Sequence, residues 1–323
     1  MMFLSKMTKK KILICGATGF IGRNAAEYFS DKENYEVFGT YFKSKPYKNS
    51  KINFLEADLT KKEDVDRVVN GKDIIVQMSA TTSGAKDIVS RPYIHVTDNA
   101  ITNQLLLRSA FENSVENFIF PSCTVMYPPW SDFPLKETDF TGEIEDKYFG
   151  AAWMKVGLEK TCEFFSKFGR TKHTVFRHSN IYGPHDKFDL EKSHVFGATV
   201  TKVMQAPEGS KLKVWGTGEE ERDLLYIDDI VSFIEIAINK QQTPYELVNV
   251  GLGKSISVGN LVKKIIDISG KNIEIEYDPA KPTIKTKLAL DCAKAKEIFG
   301  WEPKVSLDDG IKKTLDWYKE NIK

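Results

Sequence analysis

A short apolar run, Ile12-Leu13-Ile14-Cys15, is followed at once by Gly16-Ala17-Thr18-Gly19-Phe20-Ile21-Gly22. The order is strand, glycine turn, helix start, and the chemistry of such a turn is phosphate binding. Gly16 lets the chain leave the strand sharply. Gly19 removes a Cβ so that backbone N–H groups approach a pyrophosphate. Gly22 lets the helix pack close to the strand. The helix N-terminus adds partial positive charge. A glycine turn alone is a weak signal, because any tight strand–helix turn can use one. Here Arg23–Ser30 reads as a helix and Tyr35–Tyr41 as a second strand, which is the context a dinucleotide site needs.

The end of that second strand bears on which dinucleotide is bound. An NAD site has an acidic residue there for the ribose 2′-hydroxyl. This strand runs Val37-Phe38-Gly39-Thr40-Tyr41-Phe42 and is followed by Lys43, Ser44 and Lys45, with no carboxylate. Cations attract a 2′-phosphate and a carboxylate repels it. Arg23, just past the glycine turn, is also placed to reach that phosphate. The expected cofactor is NADP, with NAD as the alternative. The plainer reading of Lys43 and Lys45 is solvated loop charge.

Apolar runs alternate with helical stretches through the first half. Strands are expected at Lys11–Cys15, Glu36–Phe42, Ile52–Glu56, Ile74–Met78, Phe118–Pro121 and His173–Arg177, with helices at Lys62–Val69, Ala100–Asn113 and Ala152–Phe168. Such alternation predicts an α/β protein with a Rossmann-type, doubly wound parallel sheet. After residue 180 longer loops interrupt the apolar runs. A smaller mixed α/β substrate lobe is therefore expected over 180–223 and 251–323. The dinucleotide domain would cover 9–179, with 224–250 returning to it as a helix (Ile227–Ile238) and a strand (Glu246–Val250). Terminal helices are expected at Ser257–Ser269 and Leu307–Asn321.

Lys and Arg number 46 against 45 acidic residues, a net charge of +1, so no nucleic-acid or membrane footprint is implied. No apolar run approaches the roughly 18 residues of a spanning helix. The start, Met1–Met7, is too short for a signal peptide and reads as a leader before Lys9. The four cysteines are widely spaced without a CxxC pair, which predicts neither a disulfide frame nor a metal site. A reducing cytoplasm fits that usage.

Four further segments carry a resemblance. They are Phe118-Ile119-Phe120-Pro121-Ser122-Cys123-Thr124-Val125-Met126-Tyr127, Lys155-Val156-Gly157-Leu158-Glu159, Arg177-His178-Ser179-Asn180-Ile181-Tyr182-Gly183-Pro184 and Arg222-Asp223-Leu224-Leu225-Tyr226-Ile227-Asp228-Asp229. Together with the glycine turn they resemble the extended short-chain dehydrogenase/reductase family that acts on nucleotide sugars, from about Lys11 to Tyr318. Within it, Tyr182–Phe188, Ser193-His194-Val195 and Val214–Gly218 are similar to the GDP-L-fucose synthase-like reductases and epimerases. The resemblance implies cofactor contacts from Gly16, Thr18, Gly19, Phe20, Ile21, Gly22, Arg23, Lys43, Asp58, Leu59, Ala80, Lys155 and His178. It implies substrate contacts from Asn180, His194, Val214, Trp215 and Arg222, a nucleotide-sugar partner that is GDP-linked, and a homodimer formed through two helix pairs.

The family's chemistry uses a Ser or Thr, a Tyr and a Lys. The tyrosine moves a proton to or from the sugar oxygen, and the lysine cation lowers a phenol pKa that is otherwise near 10. The Tyr lies four residues before the Lys, one helical turn away. This chain departs from the pattern twice. Four residues before Lys155 stands Ala151, which has no proton to give, and the Ser/Thr position is Cys123, a poor donor. Either Lys155 is a surface lysine, or the natural protein lacks the tyrosine and works differently or not at all, or Ala151 is an introduced change that disables the enzyme. Tyr148 lies about two turns before Lys155. Neighbours on a strand point to opposite faces, yet a bend at the strand end brings either Cys123 or Thr124 into a site.

The family's dehydratases place an Asp-Glu pair where Thr124 and Val125 stand, so water elimination is not expected. In the fucose synthases a Cys and a His epimerise the sugar before reduction; His194 matches the His, but Val125 occupies the Cys place. Removal and return of a proton on opposite faces needs two groups. The expected reaction is therefore reduction of a C4 ketone. The alternatives are an NAD-holding 4-epimerase and a non-catalytic sensor that binds cofactor and sugar.

Overall fold

The computed structural model describes residues 9–81, 91–190, 193–281, 283 and 285–322. The leader Met1–Met7 lies outside them. Seven strands form one parallel sheet: β1 (Lys10–Cys15), β2 (Tyr35–Tyr41), β3 (Ile52–Glu56), β4 (Ile74–Gln77), β5 (Asn117–Pro121), β6 (Lys172–His178) and β10 (Tyr245–Val250). Their order is β10-β6-β5-β4-β1-β2-β3, with Ile12 paired to Val37 on one side and to Ile74 on the other.

The sheet is buried on both faces, which explains its unbroken apolar runs. Ile12, Ile14, Ile74, Val76 and Phe176 turn to one core, with α1 (Phe20–Ser30) and α6 (Ile227–Lys240). Their chain neighbours Leu13, Cys15, Ile75 and Val175 turn to the other, with α2 (Lys62–Val69), α3 (Pro92–Glu112) and α4 (Phe149–Ser166). Helix α3 begins eight residues before the expected Ala100. Pro92 sits in its first turn, where the missing N–H costs nothing.

The remaining strands form two small sheets. β7 (Asn180–Tyr182) runs parallel to β9 (Glu221–Tyr226), which pairs antiparallel with β11 (Ser255–Ser257). β8 (Lys211–Trp215) pairs with β12 (Glu274–Asp278). Around them lie α5 (Val195–Gln205), α7 (Val258–Ser269), α8 (Ala293–Phe299) and α9 (Leu307–Asn321). Asp223 on β9 is fully buried. Its carboxylate accepts from the N–H groups of Leu252, Gly253 and Leu290, so one side chain ties three segments together. Among the described residues no helix is long and apolar enough to cross a membrane.

Candidate active site

Parallel sheets of this kind take ligands beyond the carboxyl ends of the strands, where the strand order reverses. That point here lies between β1 and β4. Gly16 leaves β1 with φ +73°, and a Cβ there would stand 2.7 Å from the Cα of Ser79 beyond β4. A Cβ on Gly22 would run into the carbonyl oxygen of Gly16. The Gly16 N–H donates to Thr40 Oγ1 at 2.9 Å, which pins the turn to β2. Helix α1 starts at Gly19 without a side-chain cap, so its first-turn N–H donors are left to a ligand. Thr18, Phe20 and Ile21 are half-buried around this cradle. The residues present fit a dinucleotide diphosphate.

The ribose end is less simple. Lys43 is exposed past β2. Arg23 donates from Nε to Glu27 at 2.9 Å and lies 4.1 Å over the ring of Tyr47, so protein groups already hold the side chain expected to meet a 2′-phosphate. The carboxylate of Asp58 caps its own turn by accepting from the N–H and hydroxyl of Thr60, at 3.2 and 2.7 Å. Leu59 is buried in the core under α2. Ala80 follows Ser79, whose hydroxyl is held by Gln77.

β5 ends at Pro121, and residues 122–127 leave it through a turn closed by the Tyr127 N–H on the Thr124 carbonyl at 3.0 Å. The bend packs Cys123 against a small buried cluster of Met126 with Ala152 and Val156 from the first turns of α4. Ala151 is half-buried in that first turn. The Lys155 ammonium donates to the Pro121 carbonyl at 2.7 Å and lies 4.7 Å over the Phe120 ring. Lys155 is thus anchored to the strand that carries the Cys123 bend, which excludes the surface-lysine reading. Burial pulls its pKa down, while Cys123 and Glu159 oppose that shift. Burial pushes the Cys123 thiol up, against the pull of Lys155.

His178, at the end of β6, stands within electrostatic reach of Lys155 and His194. Burial holds it near pKa 4, so it is neutral at physiological pH. Its Nδ1 lies 2.8 Å from the Ser179 carbonyl, which can only accept, so the proton sits on Nδ1. His194 precedes α5 as its N-cap, and burial lowers its pKa too. Across the small sheet, the Asn180 amide donates to the Asp223 carbonyl at 3.3 Å, which brings Asn180 beside Arg222. The Arg222 guanidinium donates to the Glu221 carbonyl at 2.8 Å and to the Thr286 hydroxyl. The side chain of Val214 is packed in the core, because β8 alternates and turns Trp215 outward.

One feature was not legible from sequence motifs. Under the bend, Glu159, Arg177, Ser122, Tyr127 and Asn249 form a buried polar network. The available signal was an arginine ending the apolar run Val175-Phe176 and a glutamate one helical turn after Lys155.

The NAD dependent epimerase/dehydratase family matches residues 12–251. The chain belongs to this family. Among related proteins, the GDP-L-colitose synthase of Yersinia pseudotuberculosis is 29% identical, over 95% of this chain and 97% of its own length. The GDP-L-fucose synthase of Azorhizobium caulinodans is 28% identical over 96% of both chains. The crystal structure of the Thermotoga maritima UDP-glucose 4-epimerase, with UDP-glucose, matches with a TM-score of 0.86 at 28% identity, covering 97% of this chain and all of that one. The fold shared with that epimerase therefore covers 97% of this chain.

Proposed function

We propose that the protein is a nucleotide-sugar oxidoreductase that reduces the C4 ketone of a GDP-linked deoxysugar with NADPH, in a form that lacks the tyrosine proton donor. The observation that carries this reading is the convergence on one sheet edge of the glycine cradle, the anchored Lys155 and the Cys123–Thr124 bend. The similarity to GDP-L-colitose and GDP-L-fucose synthases supports a GDP-linked substrate. A bound nicotinamide would supply the hydride chemistry. Lys155 would orient the ribose beside it, and Arg222 with Asn180 would hold the sugar nucleotide across the cleft. The ketone oxygen gains a proton on reduction, and Ala151 has none to deliver, so turnover rests on weaker donors at Cys123 or Thr124. Epimerisation is disfavoured because His194 has no cysteine partner at Val125. The exposed side chains of Ile101 on α3 and Trp153 on α4, on two helices packed against each other, support a homodimer built on this pair.

The test is mass spectrometry of small molecules released from the purified protein. NADP(H) and a GDP-sugar are expected; NAD with a UDP-sugar would shift the reading to a 4-epimerase. The dissociation constant for NADP is expected to be several-fold below that for NAD, because no carboxylate ends β2. Equal or reversed constants, read by fluorescence titration, would sink the NADP preference.

Arg222→Ala gives a second measurement. A charge-assisted contact is worth about 1.5–3 kcal/mol, so nucleotide-sugar affinity is expected to fall roughly ten- to hundredfold while NADP affinity holds. Equal loss of both ligands would make Arg222 structural.

A further inference from the structure

Glu159 stands one helical turn after Lys155 on α4, so both side chains lie on one face. Its carboxylate takes the Arg177 guanidinium side-on, with Nε at 3.0 Å and Nη2 at 2.7 Å, and the two side chains are only 3% and 4% exposed. The Ser122 hydroxyl donates to the same carboxylate at 2.5 Å. Arg177 goes on to donate to the Tyr127 hydroxyl at 3.0 Å and the Glu137 carbonyl at 3.1 Å. Tyr127 donates in turn to Asn249 Oδ1 at 2.8 Å. One carboxylate is therefore bonded to the end of β5 and to β6 from the helix that carries Lys155.

We propose that Glu159 is the positioning residue for Lys155: through Ser122 and Arg177 it fixes the bend bearing Cys123 and Thr124 against the Lys155 turn of α4, and it sets a negative charge one turn from the ammonium. This rests on Lys155 being the cofactor-site lysine. The groups facing Lys155 are the Pro121 carbonyl and Phe120 ring from β5, the Cys123 thiol from the bend, Glu159 and Cys162 from α4, and His178 from β6. Both thiols are pushed up by burial and stay protonated, and His178 is neutral. Among these groups Glu159 is the one carboxylate, and its partner is the Arg177 guanidinium on its far side. Burial favours the neutral amine, and the carboxylate works against it. Removing that charge lets burial prevail, so the Lys155 pKa falls.

The experiment is competitive acylation of the whole protein with acetic anhydride across pH, with the Lys155 peptide quantified by mass spectrometry. In Glu159→Gln the midpoint for Lys155 is expected about one pH unit lower, a tenfold rise in reactive amine below it. Glu159→Asp, which keeps the charge, should stay near the native midpoint. A folded Glu159→Gln protein with an unchanged midpoint, or an Asp variant that shifts as far as the Gln one, would overturn the proposal. Should Glu159→Gln fail to fold, Arg177→Met, which leaves the carboxylate without its cation, is expected to raise the Lys155 midpoint instead, and an unchanged midpoint there would overturn the proposal. The labelling reads Lys155 directly and needs no turnover. Failure of the cofactor-site reading would appear separately, as no protection of Lys155 by saturating NADPH.

Discussion

Ala151→Tyr is expected to raise NADPH-dependent reduction of a GDP-4-keto sugar by about 10²–10⁴-fold, the usual worth of a positioned general acid. Position 151 lies in the first turn of α4, one turn before Lys155 and on the same face. A phenol there would meet the ammonium that Pro121 and Phe120 hold in place. Its pKa would be drawn down by that cation from a starting value near 10. The neighbouring Ala152 is buried in the small cluster against which Cys123 packs and is untouched by the change. NADPH oxidation is measured with a panel of 4-keto nucleotide sugars for both proteins. If both ligands bind and no substrate turns over faster, the pocket is not shaped for a tyrosine. A sensor role, or proton delivery from Cys123 or Tyr148, would then take its place.

Much of the fold is written in local signals. Lys62–Val69 and Leu307–Asn321 have the same bounds in sequence pattern and structure, because each has polar or capping residues at its start and a clean apolar stripe. The parallel sheet followed from runs such as Ile12–Cys15, whose alternate residues feed two separate cores. The start of α3 was obscured because His95, Thr97, Asp98 and Asn99 break the apolar period; Asn99 instead bonds the backbone of Thr81 beyond β4. In the site, the glycine cradle was legible because steric demands on Gly16 and Gly22 are local. The polar network was not, since its partners come from β5, α4, β6 and β10, and only tertiary contact makes a strand-end arginine the mate of a helix glutamate. Arg23 was readable as a candidate for the ribose phosphate from its place just past the glycine turn, whereas its engagement by Glu27 and Tyr47 was not readable.

Arg177→Met is expected to destabilise the protein by about 3–5 kcal/mol, because it leaves the Glu159 carboxylate buried without its cation. The loss would appear in urea unfolding as a lower midpoint with an unchanged slope. Glu159→Gln on the same background should restore most of it, since the amide keeps the shape and removes the stranded charge. The pH dependence fixes the cause. Without Arg177 the buried carboxylate has lost its cation, and burial penalises its charged form. A stranded carboxylate costs stability where it is ionised and ceases to do so where it is protonated. The deficit of Arg177→Met should therefore be full at neutral pH and shrink as pH falls toward 4. A deficit that is equally large at both ends would mean that lost packing and the freed hydroxyl of Tyr127, rather than the stranded carboxylate, account for it.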